Sequence, residues 1–140
     1  MWTRPAADGD LTGIAGVDPA VDSDADRRAL IVRAIAEESC WIAGRQDLPE
    51  GYLVLSRRHF FGRDFVSLLA VKAAARRQGM ASALFHLAET SAATPQLFTS
   101  TNQSNHPMRA LLDTRSYLAA GVIDHLDPGD PEIVFVRYLR

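Results

Sequence analysis

The chain has one cysteine, one lysine and no long hydrophobic run, and each scarcity narrows what it can be. With Cys40 alone, neither an internal disulfide nor a cysteine-rich metal site can form, which leads to the expectation of a reducing cytoplasmic setting and no metal. No apolar stretch approaches the ~20 residues of a membrane span and no signal-peptide pattern opens the chain, so no membrane partner is expected. Charge of one sign is lacking too: 15 Lys and Arg stand against 17 Asp and Glu, a net charge of −2. That balance leaves no electrostatic footprint for nucleic acid, so any phosphate binding has to be local. Lys72 is the single lysine, which reads as compositional bias rather than mechanism. What is present is 140 residues with 47% hydrophobic and 23% charged content, enough for one domain, 1–140, with a buried core.

Taken in order, Met1–Arg4 reads as a short edge strand, because Pro5 removes a donor and pushes the residue before it toward extended geometry. Asp8 and Asp10 precede Leu11, Ile14 and Val17, a short amphipathic helix with acidic residues at its start. Asp22-Ser23-Asp24 offers N-caps for a longer helix through about Ser39, with Leu30, Ile31, Ala34 and Ile35 as its apolar stripe and Arg33–Glu37 as an i,i+4 pair. Cys40–Ala43 and Gly51–Ser56 read as a hairpin with a long loop, and Arg57–Asp64 as a second connection. Within it, Phe60 and Phe61 are core aromatics or the lining of a cleft. The central strand is Phe65–Val71, and the helix from Met80 carries Leu84, Leu87 and Ala88 at helical spacing until Thr94-Pro95 breaks it. Gln96–Thr101 is a further strand, and Ser104-Asn105-His106-Pro107 starts a helix whose apolar face is Met108, Leu111 and Leu112. Tyr117–Asp124 and Glu132–Leu139 are the last strands, around the turn-rich Asp127–Pro131. The order describes a mixed α/β layer rather than a regular β-α repeat.

One stretch points to chemistry. Between the apolar strand ending at Val71 and the helix from Met80 lies Arg76-Arg77-Gln78-Gly79-Met80-Ala81. A helix start has unpaired N–H groups and the positive end of the macrodipole, which together receive an anion. Gly79 and Ala81 leave its approach open, and Arg76 and Arg77 add positive charge.

The six residues Arg76–Ala81 fit the R/Q-x-x-G-x-G/A pyrophosphate loop of the GNAT superfamily of N-acetyltransferases, and the chain resembles that family over nearly its whole length. Leu69-Ala70-Val71 precede the loop where the family has its coenzyme-pairing strand, and Asn105, Met108, Leu111, Leu112 and Ser116-Tyr117 resemble its later N-x-x-A, Tyr, Gly-Phe block. The resemblance implies an α/β (α+β) fold with a mixed, mostly antiparallel sheet of about six to seven strands flanked by helices. It also implies acetyl-CoA as co-substrate, with backbone groups of Leu69, Ala70 and Val71 pairing with the pantetheine arm. Arg76, Arg77, Gln78, Gly79, Met80, Ala81 and Ser82 would hold the pyrophosphate, and Asn105 would bond the pantetheine or the acetyl end, a plain helix cap being its alternative role. The implied reaction is direct attack by an amine on the thioester, with a small-molecule or peptide amine as acceptor. Dimers are common among similar proteins, and the last strand pair offers an interface.

The sequence departs from that pattern at two places. Leu112 stands where many members keep a proton-donating tyrosine, and Ser67 stands where related sequences often carry glutamate. No catalytic residue is therefore assigned. Asp64, Glu37 and Glu38 are unranked candidates for a water-mediated base, His59, His106 and His125 are read as solvated loop or turn residues, and His86 as facing outward from its helix. Cys40 is read as a small core residue rather than a nucleophile. The leading reading is an acetyltransferase, and the alternative is a non-catalytic acyl-CoA-binding module that kept the cradle. A nucleotide-phosphate binder is disfavoured because the loop lacks a Lys-Ser/Thr ending.

Overall fold

A computed structural model describes residues 1–140. Its strands are β1 (Trp2–Pro5), β2 (Cys40–Gly44), β3 (Gly51–Phe60), β4 (Arg63–Val71), β5 (Gln96–Asn102), β6 (Leu118–Ile123) and β7 (Glu132–Tyr138). They form a seven-stranded sheet in the order β1-β2-β3-β4-β5-β7-β6. Pairing is parallel between β4 and β5 and antiparallel for β1 with β2, β2 with β3, β5 with β7 and β6 with β7, so the sheet is mixed and mostly antiparallel, as expected. The helices are α1 (Leu11–Val17), α2 (Ala20–Ser23), α3 (Ala25–Ala36), α4 (Met80–Ser91) and α5 (His106–Thr114). None is long and apolar enough to cross a membrane.

Packing divides the chain into two compact units, Met1–Ser56 with Ser67–Ser91, and Arg57–Val66 with Ala92–Arg140. In the first, β2 is buried along its whole length, the mark of a strand covered on both faces. Its Cys40 and Ile42 join Ile14, Val21, Ile31, Ala34, Ile35, Tyr52 and Val54 in one apolar cluster under α1, α2 and α3. Successive strand residues point to opposite faces, so Trp41 and Ala43 turn to the other side, where α4 packs on β2. The helix α4 buries Met80, Leu84, Phe85 and Ala88 and leaves His86 exposed, the amphipathic arrangement its spacing predicts. In the second unit β5 alternates, burying Leu97, Thr99 and Thr101, and Leu112 of α5 is fully buried. The edge strand β6 is exposed along its whole length.

Two boundaries differ from expectation for local reasons. The helix α3 stops at Ala36, three residues before Ser39, and Glu38 turns the chain with φ 56°. The strand β3 does not end at Ser56 but runs to Phe60. Arg58 has φ 51°, yet its N–H is satisfied by the Asp64 carboxylate at 2.9 Å, so the ladder survives the irregularity. What read as an eight-residue connection is a tight hairpin over Phe61 and Gly62, both at positive φ (50° and 78°), as a type I′ turn demands. The two phenylalanines take neither expected role in full. Phe60 stacks against Phe65 and Phe98 at centroid separations of 5.2 and 5.0 Å, whereas Phe61 is 84% exposed at the turn.

Candidate functional site

Ser67 to Val71 form the C-terminal half of β4, and every one of the five is only half-buried although four are apolar. The parallel register of β4 with β5 covers Asp64–Val66 against Leu97–Thr99, and β4 continues for those five residues beyond it. An apolar strand end with partial exposure is a place where a ligand's own amides can run as a neighbouring strand. A single turn of 3-10 helix, Ala73–Ala75, then leads into the loop.

The loop residues Arg76, Arg77, Gln78 and Gly79 are all exposed, and α4 begins immediately after them at Met80. Arg77 and Gly79 both adopt positive φ, 62° and 81°, so the backbone coils tightly into the helix. A Cβ built on Gly79 meets no atom within 4 Å, so the glycine is required by its backbone conformation and not by crowding within the protein. Having no side chain, Gly79 cannot close the start of α4 as a side-chain N-cap would. Ala81 and Ser82 are half-buried in the first turn. The Met80 side chain is buried against Gly51, leaving only its backbone for the site. Arg76 donates from Nε to the Val71 carbonyl at 3.2 Å, a group that retains a second lone pair.

Asn105 belongs to the second unit. It is the N-cap of α5, and its Oδ1 accepts the Met108 N–H at 3.2 Å. The capping role is therefore filled, and only the side-chain amide N–H groups are left as donors toward a ligand.

The other candidates sort clearly. Asp64 has no exposed side-chain surface and accepts N–H bonds from Arg58 and Ala93 at 2.9 and 2.8 Å, with Arg57 3.8 Å away, so it is a structural hub rather than a base. Glu37 closes α3 and pairs with Arg33 at 3.0 Å, while Glu38 is exposed at a left-handed turn. The Ser67 hydroxyl shares a 2.6 Å hydrogen bond with Ser56. Leu112 has no exposure at all and Tyr117 is 4% exposed. Burial pushes the Cys40 thiol up to about 12, which removes it as a nucleophile. His59 lies within β3 rather than in a loop, His106 opens α5, and these two, His86 and His125 are exposed.

Sequence reasoning missed Arg45. In the connection between β2 and β3 its guanidinium grips Glu50 bidentately, at 3.0 and 2.6 Å, and its Nη1 donates to Gln78 Oε1 at 3.1 Å. The hydrogen bonds from Arg45 hold the Glu50 carboxyl at about 2. No local pattern announces a contact between residues 33 apart. A carboxylate just before the strand that starts at Gly51 was the only available hint.

The sequence model of the Acetyltransferase (GNAT) family matches residues 10–116. No curated protein sequence matches the chain. Among solved structures, a GNAT-family acetyltransferase from Bacillus cereus ATCC 10987 is 32% identical, with 98% of this chain and 96% of that one covered and a TM-score of 0.88. The yncA protein of Salmonella typhimurium, described with its cofactor acetyl-CoA, shares the fold at 11% identity, 99% and 94% coverage and TM-score 0.81. The ribosomal-protein-S18-alanine N-acetyltransferase of Escherichia coli shares it at 14% identity, 99% and 93% coverage and TM-score 0.78. With most of its length matched by the family's sequence pattern and nearly all of it by a structure above 30% identity, the chain belongs to the GNAT acetyltransferase family.

Proposed function

We propose that the protein transfers an acetyl group from acetyl-CoA to a primary amine by direct attack on the thioester. The observation that carries this reading is the half-exposed apolar end of β4 running into a glycine-started helix flanked by two exposed arginines. These features fit both parts of the coenzyme: the strand end offers backbone groups of Leu69, Ala70 and Val71 to an amide-bearing arm, and the loop from Arg76 to Ser82 offers N–H groups and charge to a pyrophosphate. The Asn105 amide is a donor to the same molecule in this reading. When bound, acetyl-CoA supplies the activated acetyl thioester.

The chain's own contribution is then positioning. Holding coenzyme and amine together turns a bimolecular step into a nearly unimolecular one, worth up to roughly 7–11 kcal/mol where alignment is good. The amine has to arrive deprotonated, with ordered water carrying its proton, since Asp64 is fully engaged and Glu37 is ion-paired. A thiolate of ordinary pKa, ~8.5, can depart with a proton from water, so the buried Leu112 is compatible with turnover. Peptide amines are one acceptor class in this proposal, in keeping with the protein acceptor named for the Escherichia coli neighbour.

The test is release of free thiol from acetyl-CoA across a panel of small amines and peptides, paired with calorimetry of coenzyme A binding. Acceptor-dependent thiol release is expected, and absence of any binding heat would overturn the reading. The fully buried Leu112 and the Ser67 hydroxyl bonded to Ser56 favour a second reading, a non-catalytic acyl-CoA-binding module. Tight binding without turnover on any acceptor would select it.

A further inference from the structure

The coenzyme loop is exposed along Arg76–Gly79 and passes twice through the left-handed region, at Arg77 and at Gly79. A segment of that kind, with few buried contacts of its own, belongs to the low-stability end of a fold unless something outside holds it. The connection between β2 and β3, together with Gly51 at the start of β3, holds it at three separate points. Before the loop, the Lys72 N–H donates to the Glu50 carbonyl at 2.7 Å. After it, Met80 packs so closely on Gly51 that a Cβ there would lie 2.9 Å from its sulfur. Between them, Gln78 sits between the two left-handed residues with both ends of its amide engaged. Its Nε2 donates to the Ala74 carbonyl at 3.3 Å, and its Oε1 accepts from Arg45 at 3.1 Å.

Arg45 is itself fixed. Glu50 takes its Nε and Nη2, and also accepts the Arg45 backbone N–H at 2.9 Å, so the planar guanidinium has one orientation, with Nη1 toward Gln78. Because Glu50 neutralises Arg45 on the spot, the pair adds little net attraction for an anion. Its effect is geometric.

We propose that Arg45 is a positioning residue for the coenzyme: anchored by Glu50, it holds Gln78, and through Gln78 it sets the Arg76–Ser82 backbone in its anion-accepting form before any ligand arrives. This assignment rests on the coenzyme reading given above. Lysine at position 45 keeps the charge and loses the fork, so Arg45→Lys separates geometry from electrostatics.

Two measurements test it. On ligand-free protein, amide hydrogen exchange from Gln78 to Ser82 should accelerate about tenfold in Arg45→Lys while exchange in β2 and α3 stays at the wild-type rate. In steady-state assays and calorimetry, Arg45→Lys should raise the KM for acetyl-CoA and the Kd for coenzyme A about tenfold, the effect of losing one charge-assisted hydrogen bond, with kcat and the acceptor KM within about twofold. Gln78→Ala should give the same rise, and the double variant no more than either alone. Unchanged exchange in the loop of Arg45→Lys overturns the proposal, as does equal weakening of coenzyme and acceptor. A wild-type protein that binds no coenzyme A would sink the functional reading instead, and the exchange measurement would still decide whether Arg45 orders the loop.

Discussion

The start of α4 and the start of α5 face the same physical demand and meet it in opposite ways. Each helix opens with N–H groups that have no partner inside it. Asn105 closes α5 from within by accepting the Met108 N–H, and Asp24 does the same for α3 by accepting from Asp26 and Arg27, both at 3.1 Å. Gly79 brings no side chain to α4, and the residues before it bring two exposed arginines. A helix start closed by its own side chain is finished structure, whereas a glycine start beside two arginines is, in the proposed reading, one that the coenzyme's pyrophosphate completes. In the proposed reading the difference separates two similar-looking helices: α5 is closed by its own residue, and α4 is the one that receives the coenzyme.

The strongest way to break this contrast is to close α4 as the others are closed. Gly79→Asp places a carboxylate at the anion position on a residue type that tolerates positive φ. We expect coenzyme A affinity to fall about thirtyfold or more, roughly 2 kcal/mol, with a much smaller change in Tm, read by calorimetry and thermal melts. The converse experiment opens α5. Asn105→Ala should cost about 1 kcal/mol, a drop of roughly 3–5 °C in Tm, whereas Asn105→Asp retains the cap acceptor and should keep Tm near wild type. Asn105→Asp also removes the amide donor, so a severalfold rise in the KM for acetyl-CoA with an unchanged Tm would separate its ligand role from its cap role.

Acid offers a third handle, because the carboxylate of Asp18, just before α2, is a hub of hydrogen bonds. Asp18 accepts the Ala20 N–H at 3.2 Å, the Tyr52 hydroxyl at 2.6 Å and Arg27 at 2.8 Å. Burial raises its pKa, but the hydrogen bonds from Tyr52 and Arg27 outweigh burial and leave it below the usual carboxylate value. A lowered folded-state pKa gives stability that is present above the unfolded value near ~3.9 and is lost as pH falls through the folded one. Tm should therefore decline below about pH 4, and Asp18→Asn should flatten that decline while lowering Tm at neutral pH. The smallest expected effect concerns the exposed cations. Arg77→Ala should weaken coenzyme binding a fewfold at low salt and less at ~0.15 M, where surface charges are screened.

The loop was legible in the sequence because its signals are local: an apolar run, a glycine, then apolar residues at helical spacing. The order of elements was legible for the same reason, except for the four-residue α2, whose Asp22 and Ser23 look like caps of the next helix but belong to a turn of their own. What escaped the sequence depends on long-range partners. Phe61 at positive φ contradicts ordinary turn chemistry, so the hairpin after β3 was read as a long connection. The strand runs past Ser56 through an irregularity at Arg58, whose N–H is taken by the Asp64 carboxylate six residues on. Arg45 reaches Gln78 across 33 residues, and no periodicity encodes that. Asp64 is one of three unranked candidate bases in the sequence, and its burial with three partners is a property only the fold reveals.

The sole cysteine also has a practical meaning at the bench. Cys40 is inaccessible and its thiol is pushed up to about 12, so thiol-reactive probes at neutral pH find nothing to modify in the folded protein. A cysteine introduced at an exposed position of ordinary backbone conformation such as Asp124 would then be the one labelled site, and a fluorophore or spin label could be attached there without first removing the native residue.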